Sequence, residues 1–270
     1  MDFLTYEFMQ NALIAILIIT PLFSLLGTMI VNNKMAFFSD ALGHSALTGI
    51  ALGVVLGIQN TVVSMIIFGI VFAVILNIIK NSKVASLDTI ISVMSSAAIA
   101  LGLAILSKGG NFENYSSLLI GDILSINKKE ILLLIVINLF TFLFYHLYSN
   151  KIIALSVNKQ IAKSKNINTK LLDNIFVILI AVTVMLSIKW VGILIINALF
   201  ILPAAASRNI SKNMREYTLY TIIFSMFSGV CGLILSYYLD IGAGPTIVLV
   251  ISIIFCITYL FRKTFTKDDV

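Results

Sequence analysis

Apolar residues in this 270-residue chain come in long runs separated by short polar connectors. A helix needs about 20 mostly apolar residues to cross the hydrocarbon core, because away from water only its internal hydrogen bonds satisfy the backbone. Nine runs meet or approach that length, at 11–31, 41–58, 61–80, 88–107, 130–149, 174–188, 190–206, 218–238 and 244–262. Lys189 and Trp190 barely divide the sixth from the seventh, and the second is rich in glycine and carries Asp40 and His44. Both places are open to being partly broken or re-entrant. The pattern predicts an all-α, polytopic membrane protein of eight or nine helices in one bundle, a single domain over 1–270. The connectors at 107–129 and 150–173 suit amphipathic or surface helices and are too short for a second folded domain. There is no tandem repeat and no low-complexity tract.

Composition sharpens this picture. Hydrophobic residues make up 60% of the chain and charged ones 11%, against roughly 45–50% and ~25% in an ordinary soluble domain, which excludes a soluble enzyme. The net charge of +6 reads as membrane orientation rather than nucleic-acid binding, since the cations lie in the connectors. With the N-terminus outside, the inner segments hold Lys34, Lys80, Lys83, Lys151, Lys159, Lys163, Lys165, Lys170, Arg208, Lys212, Arg215, Arg262, Lys263 and Lys267. The outer ones hold Lys108, Lys128, Lys129 and Lys189, a split of 14 to 4. Nine spans then place the C-terminus in the cytoplasm, whereas eight would place both ends on one side. Residues 1–10 carry Asp2 and Glu7 but no Lys or Arg, so the first run is expected to be retained rather than cleaved. Cys231 and Cys256 stand singly in apolar runs and suggest neither a disulfide framework nor a zinc cluster.

Ionisable groups inside membrane spans are costly and mark function. Asp40 and His44 are spaced i, i+4 in SDALGHSALTGIALGVVLG (39–57), so both project from one helical face. A carboxylate and an imidazole there make half of a four-ligand site for a divalent transition metal. The alternative is that Asp40 caps the helix and His44 is an ordinary buried histidine. Gly49, Gly53 and Gly57 recur at four-residue spacing, a pattern that lets another backbone approach closely. His146, between Tyr145 and Tyr148, is expected to anchor at the interface, and Asp88 to stabilise a helix N-terminus. Asp122, in LLIGDILS, either lines an outer vestibule or forms a turn or cap; Asp240 reads as a turn. No GxxxxGK[ST] loop and no HExxH occur, so the chain lacks that device for binding ATP and the helix motif of a metalloprotease.

Over nearly its whole length the chain resembles the membrane-spanning subunits of bacterial ATP-binding-cassette importers for zinc and manganese, a resemblance that rests on five ordered blocks. They are MAFFSDALGHSALTGIALG (35–53), SLDTIISVMSSAAIALGLAILS (86–107), LLIGDILSI (118–126), VGILIINALFILPAAASR (191–208) and GAGPTIVL (242–249). The resemblance implies a type II importer-like permease in the cell membrane, with no tightly bound cofactor. Its partners would be a second permease subunit, expected to be another copy of itself, two cytoplasmic ATPase subunits, and an extracytoplasmic metal-binding protein. It places the family's metal-contacting pair on Asp40 and His44, with Asp122 a secondary candidate in the pathway. It also likens the segment around Pro203, Arg208, Lys212 and Arg215 to the element that docks into the ATPase. Some zinc-type members carry a histidine where this chain has Ser95 or Ser96. Two copies would supply two carboxylates and two imidazoles, a set that suits tetrahedral zinc; manganese, with iron after it, is the alternative, as is a stand-alone ion-driven transporter.

Overall fold

The structure, a computed structural model, describes residues 5–80, 86–108, 112–157 and 168–265. Regular structure among these residues is helical: α1 (Glu7–Asn32), α2 (Ala36–Val55), α3 (Thr61–Lys80), α4 (Leu87–Lys108), α5 (Phe112–Ile120), α6 (Lys128–Val157), α7 (Thr169–Val191), α8 (Ile193–Arg208), α9 (Met214–Leu239) and α10 (Ala243–Phe265), with a 3-10 turn at Ile123–Ser125.

Eight of these helices are long and apolar enough to cross a membrane. Of the two doubtful runs, the glycine-rich second is a continuous helix of 20 residues, and the seventh is the one that falls short, α8 having 16. At 1.5 Å per residue α8 is about 24 Å long, a few ångströms less than the ~30 Å hydrocarbon core. The break before it falls at Gly192, and Lys189 and Trp190 stay inside α7. A cation is tolerated in a helix's last turn by the dipole, whereas the backbone at Gly192, with φ of 91°, favours a residue without Cβ. Gly121, at φ 73°, ends α5 against this bend, where a Cβ on it would lie 2.8 Å from the Gly192 Cα. The connector at 107–129 contains one short helix, α5. In the other long connector, α6 runs on to Val157 and α7 begins at Thr169. Lys83, Lys159, Lys163, Lys165 and Lys267 lie outside the described residues.

The chain forms two compact units. The first comprises Met1–Lys34, Asp122–Ser149 and Ala198–Val270. Here α9 packs between α1 and α10. Hydroxyls join α1 to α9 in lieu of water: Ser24 Oγ donates to the Thr221 carbonyl at 3.2 Å and Ser225 Oγ to the Thr20 carbonyl at 3.3 Å. Close approach needs small residues, and a Cβ on Gly229 would lie 2.6 Å from Ile16 Cγ2. Pro21 interrupts the hydrogen-bond ladder of α1. Beside it, Asn138 on α6 donates its amide to the Ile18 carbonyl, the way membrane helices re-satisfy a loosened backbone. The Phe23 and Phe200 rings meet at 4.3 Å between centroids.

The second unit comprises Met35–Gly121 and Asn150–Asn197, and α2 is its centre, packed by α3, α4 and α7. Small residues make this possible. The Thr48 hydroxyl donates to the Ala98 carbonyl of α4, and a Cβ on Gly102 would lie 2.7 Å from the Thr48 backbone nitrogen. On the α3 side the Ser64 hydroxyl donates to the Gly49 carbonyl. Gly49 and Gly53 thus face α3, but Gly57 does not continue their stripe. It sits past the end of α2 with φ of 70° and nothing near its missing Cβ. Ile58 N–H bonds the Gly53 carbonyl and Gly57 N–H the Val54 carbonyl, the paired bonds of a Schellman helix end.

Because Gly102 meets backbone rather than a movable side chain, Gly102→Leu should destabilise the folded protein by about 1–3 kcal/mol or more. Thermal unfolding in detergent should show a lower midpoint than for the exposed neighbour substitution Leu101→Ala.

Candidate metal site

The first two turns of α2 carry the candidate ligands. Phe37, Asp40 and His44, spaced three and four apart, form the one open stripe of this half of the helix, Phe37 being 57% exposed and the Asp40 and His44 side chains 41% and 28%. Phe38, Ser39, Ala41, Leu42 and Gly43 between them, and Ser45 just beyond, are buried. Asp40 therefore does not cap α2: Met35 is the N-cap residue, with no side-chain cap bond, and Asp40 lies a full turn inside.

The helix is held on its opposite side. Ser39 Oγ donates to Asn197 Oδ1 on α8 at 2.6 Å. Gly43 lets α8 come close, an added Cβ lying 3.3 Å from Ile196 Cγ2 and 3.4 Å from the Ile193 carbonyl oxygen. These contacts set the rotation of α2 about its own axis and hence where the ligand stripe points. His44 Nε2 and Asp40 Oδ1 are 3.7 Å apart, too far for a hydrogen bond. Two ligands ~2.1 Å from a tetrahedral ion lie about 3.4 Å from each other, so the pair is close to the spacing at which both reach one cation. Among the described residues no group of three or more His, Cys, Asp or Glu side chains could hold a metal ion. Within the described part of the chain, then, the pair offers two ligands of the four a tetrahedral ion takes.

The other sequence candidates fall elsewhere. Asp122 is the N-cap of the 3-10 turn, its carboxylate accepting from Leu124 N–H at 3.0 Å. Ser95 is turned inward on α4 and Ser96 outward. His146 is exposed on α6. Asp88 lies in the first turn of α4, and Asp240 ends α9 in the left-handed conformation, as the turn reading expects. Pro203 sits within α8, where Ser207 Oγ donates back to its carbonyl at 2.9 Å. Arg208, Lys212 and Arg215 are exposed about the turn between α8 and α9. That turn is stiffly built: Asn213 Oδ1 accepts from Arg215 and Glu216 N–H at 3.1 and 2.9 Å. Glu216 in return accepts from Lys212 N–H at 2.9 Å and from the Asn213 amide at 2.7 Å.

Two groups of consequence were not legible in the sequence. Asp173 reads as a connector residue and Lys80 as an orientation charge, yet they form a largely buried pair at 3.4 Å joining α7 to α3. One turn along, Asn77 Nδ2 donates to Asn174 Oδ1 at 2.8 Å. Asn197 likewise reads as one polar residue in an apolar run.

Eight potential spans and a polar pair set into one of them define a multi-pass membrane protein. The chain matches the ABC 3 transport family over residues 5–262 and belongs to it. It is 30% identical to the high-affinity zinc uptake system membrane protein ZnuB of Haemophilus influenzae, over 96% of this chain and 98% of that one. It is 26% identical to the manganese transport system membrane protein MntC of Listeria monocytogenes, over 95% and 91%. Its fold is similar to a chain of PsaBC from Streptococcus pneumoniae in complex with Fab, with a TM-score of 0.82 and 24% identity over 94% and 91% of the two chains.

Ser39→Ala removes the bond that fixes the first turn of α2 and leaves Asn197 short of a partner. It should cost about 0.6–1.7 kcal/mol of stability, read as a lower thermal midpoint in detergent, whereas Ser92→Ala on the exposed face of α4 should leave the midpoint unchanged.

Proposed function

We propose that this chain is the permease subunit of an ATP-driven importer for a divalent transition metal, zinc in the first place, and that Asp40 and His44 are the ligands that pass the ion. The observation that carries the reading is the pair itself: an oxygen and a nitrogen donor 3.7 Å apart on the open stripe of an otherwise buried helix. A bare divalent cation cannot enter hydrocarbon, so it needs groups that replace its hydration and then release it. Carboxylate and imidazole exchange readily enough to do both. A second copy brings its own pair to the same ion and completes two oxygens and two nitrogens, which suits tetrahedral zinc; manganese would call for further oxygen ligands. The names of the relatives, one a zinc and one a manganese system, support the class of cargo.

The remaining parts of the reading follow the same family. Cytoplasmic ATPase subunits supply the energy and an extracytoplasmic binding protein delivers the ion. The cations support an orientation with the N-terminus outside and the C-terminus in the cytoplasm. In this orientation α8 completes a ninth crossing, carrying the chain from Lys189 outside to Arg208 inside, and its ends need not sit in lipid because short helices are tolerated where protein surrounds them. The turn bearing Arg208, Lys212 and Arg215 then faces the cytoplasm, and its capped, rigid form suits a surface that must transmit force from the ATPase.

In proteoliposomes with the ATPase and binding protein, Asp40→Ala and His44→Ala should each abolish uptake while insertion and assembly persist; a double variant that transports normally places the site elsewhere. Zinc and manganese offered in competition identify the cargo, zinc being expected to suppress manganese uptake and not the reverse.

Arg208→Glu combined with Arg215→Glu should reduce copurification of the ATPase subunits at least about tenfold, since like charges set opposite an acidic partner surface cost several kcal/mol. Undiminished copurification would contradict the docking role.

A further inference from the structure

Met35, the N-cap residue of α2, is 1% exposed, and its sulfur lies 3.4 Å from the Lys80 ammonium. The same ammonium is 3.4 Å from Asp173 Oδ1, with 15% of the lysine and 10% of the aspartate side chain exposed. Lys80 lies in the last turn of α3, Asp173 in the first turns of α7, and the Asn77–Asn174 bond at 2.8 Å fastens the same two helices one turn along. The entry of α2 is therefore fixed at two points, Met35 by the charge pair and Ser39 by Asn197, and Asp40 follows immediately. A buried ion pair is poor evidence for stability, because desolvation offsets most of the attraction and an apolar pair of similar volume does as well. What the charge pair supplies that an apolar pair does not is a fixed direction in space.

We propose that Lys80 and Asp173 are positioning residues for the metal ligands: their ion pair holds Met35 and so sets the rotation at which α2 presents Asp40 and His44. The geometry is sensitive enough to matter. A turn of about 20° about the helix axis moves a Cα ~0.8 Å on its 2.3 Å cylinder, and side-chain tips farther, whereas metal–ligand distances tolerate about 0.2 Å. Groups that support a ligand in this way typically alter metal affinity about 10- to 100-fold when lost.

The inference rests on the assignment of Asp40 and His44, and the experiment separates the two. Uptake of zinc is measured as KM and maximal rate in proteoliposomes holding the complete transporter, with thermal midpoint recorded for each variant. Lys80→Met with Asp173→Leu, which removes both charges and keeps the volume, should assemble with a midpoint near that of the parent yet raise the KM about tenfold with the maximal rate largely kept. Met35→Leu, a volume-conserving change that removes only the sulfur contact, should assemble in any case and raise the KM about threefold, below the full range for loss of a ligand's support. If the double variant does not assemble, Met35→Leu alone decides. Asp40→Asn serves as the reference. If it abolishes uptake while the KM stays at the parent value in the assembled variants, the positioning role is overturned and the metal site stands. If Asp40→Asn transports normally, both are overturned.

Discussion

Within hydrocarbon no water is available to a polar group, and this constraint organises the molecule. A carbonyl, hydroxyl or amide in a span therefore pairs within the protein wherever it can, the buried hydroxyls of Thr141 and Ser187 being exceptions. The hydroxyls of Thr20, Ser24, Thr221 and Thr183 donate one turn back to their own helices. Ser225, Thr48 and Asn138 reach instead to a neighbouring helix, and Ser24 makes a second, longer contact to one. Such bonds are worth about 0.6 kcal/mol each in membrane proteins, so they do little to drive folding. Their effect is on specificity, because a helix that rotates or slides leaves several polar groups without partners at once.

Against that background the polar groups that remain open are informative. In α1, α2 and α7, 72% of the span is buried, compared with 22–39% in the other five spans. Burial so extensive normally excludes ionisable side chains, yet α2 carries Asp40 and His44 on its one open stripe. Packing on the other faces is done by backbone and small residues: Gly43 toward α8, Gly49 and Gly53 toward α3, Thr48 against Gly102 of α4. A helix gripped this closely on three sides presents its fourth with little freedom. That is the property a transport site requires, since ligands must be preset to exchange an ion quickly instead of closing around it.

The same economy explains the interruptions. Gly57, Gly121 and Gly192 end or bend helices at positive φ, and the last two allow the end of α5 to touch the corner between α7 and α8. Pro203 lies inside α8, shortly before the helix gives way to the capped turn at Asn213. Breaks in regular structure thus fall beside elements with a proposed role in transport, while the long helices α6 and α10 offer broad apolar faces.

The sequence by itself determined the class of fold, the approximate spans and the candidate ligands. Runs of apolar residues report on lipid directly, and an i, i+4 pair lies on one helical face whatever surrounds it. It left two places open to being irregular without deciding either, because run length cannot distinguish a helix ended by Gly192 from one continuing past Lys189. Only the tertiary structure decided that Asp40 lies within α2 rather than capping it, that Asp122 caps a turn, and that Gly57 leaves the small-residue stripe. It alone joined Lys80 to Asp173 and Ser39 to Asn197, residues 93 and 158 positions apart. Pairings over such distances carry no local pattern; they arise when helices are brought side by side, and the partner of a buried charge is then chosen by proximity in space.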